Sequence, residues 1–362
     1  MAKIELHPDF HLNGNPLKVS ELKQTALTYI KMGEPYEEEV GHFILSWLDD
    51  KNYVLVNTSG STGDPKTIKL QKKHMANSAK ASGKRFKLPA RTTALLCLPS
   101  RFIGGKMMLV RAMVLGWKID IVPPKSNPLD TVFKRYDFCA MIPFQLDNSI
   151  NRLHLISKLI IGGGAFSEAL KTKVQDCETK IYETYGMTET ISHIATRRIN
   201  GDAAKEGKRP FKALKNVSVS QDERNCLVIK APKVSSDPVV TNDVVELLSY
   251  KKFMLLGRID NVVNSGGIKL FPEFIEAKLS PQIDVPFFIT GEPNDALGEQ
   301  LILVVESESI DWVDLDFSVL DKYEIPKAVY FVPNFERTDN GKLRRGATVK
   351  KLNAQSTLDE QD

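Results

Sequence analysis

The amino-acid sequence predicts an α/β protein: a large α/β domain with an antiparallel β subdomain, then a small α+β segment at the C-terminal end. Three observations predict this class. Between Tyr53 and Tyr185, short apolar runs alternate with stretches of helical spacing, the pattern of parallel βαβ units with ligand loops at the strand carboxyl ends. From about Asn216 to Leu256 the texture changes to short alternating segments, which suits antiparallel strands. Gly257-Arg258-Ile259-Asp260 then opens a polar, glycine-containing stretch up to Gly267, followed by compact α+β sequence. The boundary falls near Asp260 and divides 1–257 from 258–362.

Taken in order, Lys18–Leu48 reads as two helices. Val19-Ser20-Glu21-Leu22 can cap the first, and apolar residues recur at helical spacing in Glu37–Leu48. Tyr53–Val56 alternates and reads as a strand. Lys72–Phe86 is a helix, Ala94–Leu98 a short buried strand ended by Pro99, Gly105–Leu115 a helix, and Lys118–Val122 a strand. Phe138–Ile142 and Leu155–Ile161 repeat the strand pattern, the second running into Gly162-Gly163-Gly164. The helix Ser167–Asp176 and the strand Lys180–Tyr185 follow. The charged tail Asn353–Asp362 is expected to fray.

At 362 residues the chain is long enough for a large domain and a smaller one. A hydrophobic content of 42% with 26% charged residues is that of an ordinary soluble enzyme. The net charge of +4 comes from Lys and Arg spread along the chain, which suits small anionic ligands and gives no basic stripe to track nucleic acid. Cys97, Cys139, Cys177 and Cys226 lack metal-ligand spacing and read as reduced thiols. The opening MAKIELHPDFHLNG has no signal-peptide core, and no segment approaches the roughly 18 apolar residues of a membrane span. The expectation is a cytoplasmic protein that binds neither membrane nor nucleic acid.

The most informative stretch is Tyr53–Leu70. Its strand empties into Thr58-Ser59-Gly60-Ser61-Thr62-Gly63-Asp64-Pro65-Lys66. Short side chains and glycine let backbone N–H groups close around a polyphosphate, while the hydroxyls and the ammonium add donors and charge. The spacing is not that of a Walker loop. Further on, Tyr182-Glu183-Thr184-Tyr185-Gly186-Met187-Thr188-Glu189 places an aromatic ring, a glycine, a hydroxyl and a carboxylate at a strand exit. That set suits a base, a phosphate and Mg²⁺. Thr241-Asn242-Asp243, Gly257-Arg258-Ile259-Asp260-Asn261 and Arg337-Thr338-Asp339-Asn340-Gly341-Lys342 complete the series.

In this order the segments resemble the adenylate-forming enzymes, the acyl/aryl-CoA ligase and luciferase type, from about Val54 to Arg345. The resemblance implies that Thr58, Ser59, Gly60, Ser61, Thr62, Gly63 and Lys66 hold ATP phosphates, and that Gly163 and Gly164 match the family's GGA loop near adenine. It puts Tyr185 and Gly186 against adenine, Thr188 on the α-phosphate, Glu189 on Mg²⁺, and Asp243 and Arg258 on the ribose. Asp260 becomes the hinge of a small mobile C-terminal lid, and Lys342 the lid's electrostatic catalyst of adenylation. Asn242 stands where the family has glycine, and Thr58 comes early, where family members usually carry a further N-terminal subdomain.

The implied reaction is ATP-dependent ligation of an aryl carboxylic acid to coenzyme A through an acyl-adenylate. A homodimer is compatible with it. Among family members the chain looks most like the o-succinylbenzoate–CoA ligases of menaquinone synthesis. Such an acid has a second carboxylate, for which Arg101, Lys106 and Arg111 are the candidate cations, with Ser192 and His193 lining the rest of the pocket. Another acid, a carrier-protein thiol acceptor, or a non-catalytic adenylate-binding relative are the alternatives. The presence of Lys342 and Glu189 argues against the last.

Overall fold

A computed structural model describes residues 5–57, 67–164, 166–201, 209–307, 315–337 and 343–359, with side chains to Leu352. The N-terminal strands β1 (His11–Leu12) and β2 (Asn15–Pro16) precede helices α1 (Val19–Met32) and α2 (Pro35–Leu48). The first cap differs from the expected one: Lys18 rather than Ser20 is the capping residue, and its N–H donates to the Glu21 carboxylate at 2.7 Å. Strands β3 (Tyr53–Asn57) and β4 (Thr67–Gln71) form an antiparallel hairpin, and α3 (Lys72–Phe86) leaves it directly.

The chain then alternates through β5 (Thr93–Leu96), α4 (Ile103–Leu115), β6 (Lys118–Ile121), β7 (Tyr136–Met141), α5 (Pro143–Ser149), β8 (Ile156–Ile161), α6 (Glu168–Lys173) and β9 (Lys180–Gly186). Six antiparallel strands follow on the far side of β9. They are β10 (His193–Arg198), β11 (Phe211–Ala213), β12 (Ser218–Gln221), β13 (Cys226–Lys230) and β14 (Val239–Ser249), with β15 (Lys252–Arg258) closing the group. All belong to one 13-stranded sheet of order β12-β13-β14-β15-β11-β10-β9-β8-β7-β5-β6-β1-β2. The antiparallel part is therefore continuous with the parallel part. The seam is the β9–β10 pair, with His193 opposite Gly186 and Ala195 opposite Tyr185.

The parallel strands read as apolar runs because both faces are covered. Leu95, Phe138, Cys139, Leu159 and Ile181 are all buried. Strand order reverses between β5 and β7, so the loops after these strands flank the crevice where such sheets bind ligands. Gln145 of α5 closes that crevice from below, donating to the Cys97 carbonyl at 2.8 Å and to the Lys125 carbonyl at 3.1 Å.

A second sheet begins after β15. It contains β16 (Val263–Ser265), β17 (Ile268–Leu270), β18 (Phe287–Asn294), β19 (Gly298–Glu306) and β20 (Ala328–Val332), with α7 (Pro272–Leu279) and α8 (Arg345–Asp359). Glu276 of α7 is partly buried and accepts from Arg345 of α8 through 2.6 and 2.9 Å bonds. Helix α8 continues through Asn353–Asp359, where the sequence predicts fraying. Between the two sheets, Asn261 donates to Glu273 of α7 at 2.5 Å. The Glu168 N–H donates to Ser280 Oγ at 3.3 Å.

Candidate active site

Thr58, Ser59, Gly60, Ser61, Thr62, Gly63, Lys66 and Lys342 lie outside the described residues. Their flanks are described. Asn57 pairs with Thr67, whose Oγ1 donates to Asn57 Oδ1 at 2.7 Å, so β3 and β4 bring together the two residues that flank 58–66. Arg337 and Leu343 form an isolated antiparallel bridge that does the same around Lys342.

The strand exit at Tyr185–Ser192 is tightly folded. A Cβ on Gly186 would stand 2.3 Å from the Ser192 carbonyl, so only glycine fits where the chain turns back on itself. Thr188–Thr190 forms a single 3₁₀ turn held by Thr190 Oγ1, which accepts from the Met187 N–H at 3.0 Å. Ile191 follows at φ 67°, a left-handed conformation that a β-branched residue adopts only under constraint. Backbone strain is thus stored between Glu189 and Ser192. Gly163 and Gly164 leave the end of β8, on the neighbouring strand.

A second cluster joins β9, β14 and β15. The Tyr185 hydroxyl donates to Asp243 Oδ2. Arg258 lies between two carboxylates, 3.4 Å from Asp243 Oδ1 and 2.5 Å from Asp260 Oδ2. Asn242 donates to Asp260 at 3.1 Å and accepts from Arg224 at 3.2 Å. Three segments distant in sequence, carrying Tyr185, Asp243 and the neighbours Arg258 and Asp260, therefore meet. Burial, then the charge of Asp243, raises the Tyr185 phenol above its usual range. Its ring is only 8% exposed, packed against Phe211 and Phe253 at centroid distances of 5.8 and 5.2 Å. Both contacts are angled, at interplanar angles of 56° and 78°, rather than parallel stacks.

The third cluster is buried between α3, α4 and the seam. Arg111 is 2% exposed. Its Nε donates to Ser82 Oγ at 3.2 Å, its Nη2 to Ser192 Oγ at 2.8 Å, and its Nη1 approaches Met108 Sδ at 3.7 Å. His193 sits beside it, with Nδ1 3.5 Å from Arg111 Nη2. None of the ion pairs among the described residues includes Arg111, and burial lowers its guanidinium to about 10. Burial, then the charges of Arg111 and Arg85, holds His193 well below the usual imidazole range.

Arg101 and Lys106 stand apart from that cluster. Arg101 is half exposed and pairs with Glu39 of α2 at 2.8 Å. Lys106 donates to the Ser100 and Arg101 carbonyls at 2.5 and 3.0 Å and lies over the Phe43 ring. Burial lowers its ammonium to about 8. A Cβ on Gly105 would meet the Pro99 carbonyl at 2.3 Å, so this glycine serves close packing of α4 on the preceding loop. Residues 106 and 111 point to different sides because five helical steps turn roughly 140° past a full circle.

Ser82 was not anticipated. With Ser78 it breaks the buried stripe Met75, Ala76, Ala79, Phe86 of α3 at i, i+4 spacing, a polar pair on an apolar face that sequence can reveal.

A large sheet whose parallel half is continued by antiparallel strands, with polar clusters gathered at strand ends, defines a nucleotide-dependent α/β enzyme architecture. The chain belongs to the AMP-binding enzyme family, whose pattern matches residues 20–219. The 2-succinylbenzoate–CoA ligase of Enterococcus faecalis is 24% identical over 331 residues, covering 80% of this chain and 68% of that protein. The Bacillus cytotoxicus protein of the same name is 26% identical over 336 residues, with the same coverage. An acyl-CoA synthetase (AMP-forming)/AMP-acid ligase II-like protein from Dyadobacter fermentans is 34% identical. Its structure superimposes with TM-score 0.60 over 91% of this chain and 98% of that one. The O-succinylbenzoate coenzyme A synthetase of Bacillus subtilis, solved with ATP and magnesium, shares the fold at TM-score 0.72 and 19% identity, covering 81% and 69%.

Proposed function

We propose that this chain is an ATP-dependent acid–CoA ligase working through an acyl-adenylate, with o-succinylbenzoate or a close aryl diacid as substrate. The observation that carries the choice of acid is the fully buried Arg111 without a carboxylate partner among the described residues. An unpaired buried cation is unfavourable. A ligand that brings its own carboxylate removes that penalty, and the acid's second carboxylate is such a group. The names of the curated relatives support the same reading.

In this reading the acid's reacting carboxylate attacks the α-phosphate of ATP, and pyrophosphate leaves. Asp243 accepts from the ribose hydroxyls and Arg258 backs it, while Thr188 donates to the α-phosphate. Residues 58–66 hold the outer phosphates and Lys342 meets the charge that develops. Among the described residues no three His, Cys, Asp or Glu side chains gather to hold a metal. A single carboxylate, Glu189, on the 3₁₀ turn suits Mg²⁺ held jointly with substrate phosphates, where the ion would neutralise phosphate charge. Residues 258–362 then act as a lid turning at Asp260, so that coenzyme A reaches the adenylate. We assign the protein to the cytoplasm; among the described residues no helix is long and apolar enough to cross a membrane.

Pyrophosphate release across a panel of aryl monoacids and diacids, with and without coenzyme A, tests this. We expect adenylation without coenzyme A, thioester only with it, and clear preference for the diacid. Preference for monoacids, or transfer to a carrier protein in place of coenzyme A, would overturn the proposal.

A further inference from the structure

Ser82 occupies the centre of the buried cluster. It accepts from Arg111 Nε at 3.2 Å, donates to the Ser78 carbonyl at 3.1 Å, and lies 3.2 Å from His193 Nε2. A serine hydroxyl has one proton. If that proton goes to Ser78, the imidazole must donate from Nε2 to Ser82. Its Nδ1 is then an acceptor, facing the Ser192 hydroxyl at 3.3 Å and Arg111 Nη2 at 3.5 Å. The opposite tautomer would set an Nδ1–H against the guanidinium N–H, two donors facing each other. An imidazolium would add a second buried cation beside Arg111, with Arg85 also close by on α3. Only the neutral Nε2–H form lets Ser82, Ser192 and the imidazole each find a partner without setting two donors against each other.

We propose that Ser82 and His193 are positioning residues that fix the Arg111 guanidinium and so set the preference for an acid with a second carboxylate. The proposal rests on the reading of Arg111 as the partner of that carboxylate. Ser82 and Ser192 hold the guanidinium from two sides, through Nε and Nη2. Its Nη1 has only a thioether at 3.7 Å among the described residues, so this is the edge left for a ligand oxygen. The edge-on contact of His193 with Phe86, at 5.8 Å, keeps the ring from rotating away.

Two measurements test this on the full chain. The first is ¹⁵N NMR of the ligand-free protein at pH 7, where His193 should show the neutral Nε2–H pattern. An Nδ1–H tautomer or an imidazolium would overturn the network. The second is kinetic. Ser82→Ala should raise the KM for the diacid about tenfold, the effect of loosening one hydrogen bond to a charged group. It should leave kcat within about twofold and the monoacid KM unchanged, and Ser82→Thr should restore the diacid KM. Thermal melts check that Ser82→Ala is folded; should it not be, Ser82→Cys, which nearly keeps the volume but is a much weaker acceptor, takes its place with the same expectation. Equal KM changes for both acids would reduce Ser82 to a packing residue and end the proposal. Arg111→Leu separates the two readings. If it abolishes the diacid preference while Ser82→Ala leaves it intact, positioning fails and the substrate reading stands. If Arg111→Leu leaves the preference unchanged, the substrate reading itself falls, and the kinetic part of this proposal with it.

Discussion

Arg111 and Arg258 show two ways of preparing an arginine for a ligand. Arg258 is 38% exposed and stands between two carboxylates, Asp243 and Asp260. Arg111 is buried among hydroxyls, an imidazole and a thioether. At the first site the protein supplies both signs of charge, so a ligand must compete with bonds already made. At the second the protein supplies only the cation and leaves the anion to the ligand. The contrast suits the two halves of the proposed substrates, a neutral ribose and a charged acid. Hydroxyls can share an existing acceptor network, whereas a carboxylate entering an apolar interior needs a whole counter-charge.

The largest expected effect comes from removing the uncompensated cation. Arg111→Leu should raise the diacid KM by about a hundredfold, in line with roughly 2–5 kcal/mol for breaking a buried charge pair. Because the free protein loses an unpaired buried charge, its melting temperature should hold or rise. A marked fall in melting temperature without diacid-specific kinetics would mean that Arg111 is a structural residue. Asp243→Asn ranks next. It leaves Arg258 with Asp260 alone and should raise the KM for ATP about tenfold, with little change for the acid. A larger effect on the acid than on ATP would erase the division of labour between the clusters. Smallest of all, Arg101→Ala and Lys106→Ala should each change the diacid KM less than about twofold. Arg101 is already engaged by Glu39 in an exposed pair of the kind worth roughly 0.2–1 kcal/mol, and Lys106 is held by carbonyls. A tenfold diacid effect at either would move the acid site towards α2.

Sequence reading succeeded where a local pattern carries the answer. The parallel strands β5 to β9 are apolar runs between helices, and their carboxyl-end loops follow from topology. What it missed was non-local or locally ambiguous. β4 is TIKLQ, too short and polar to separate from the loop before it. Strand β10, HIATRR, begins at His193, which reads as a loop residue until its antiparallel pairing with β9 is known. The continuity of the two halves into one sheet depends on pairings that no single segment announces. Among the candidate cations, the lone arginine in the apolar run Met107–Val114 was the informative one, because charge inside such a run must be buried. Lys106 and Arg111 looked equivalent only because linear sequence hides which side of α4 each one faces.

The β9–β10 seam has a further consequence. Tyr185 lies on one strand of this pair and His193 on the other, and the ladder locks their register through Gly186 opposite His193. The Tyr185 cluster and the Arg111 cluster are therefore joined by one hydrogen-bonded strand pair, whose register shifts between His193 and Ala195. Under the proposed function the sheet would work as a gauge of molecular length, measuring the gap between the phosphorus under attack and the remote carboxylate. A related enzyme that accepts a longer or shorter diacid would change the side chains of α3 and α4, where the far contact is set, and keep the strands as they are.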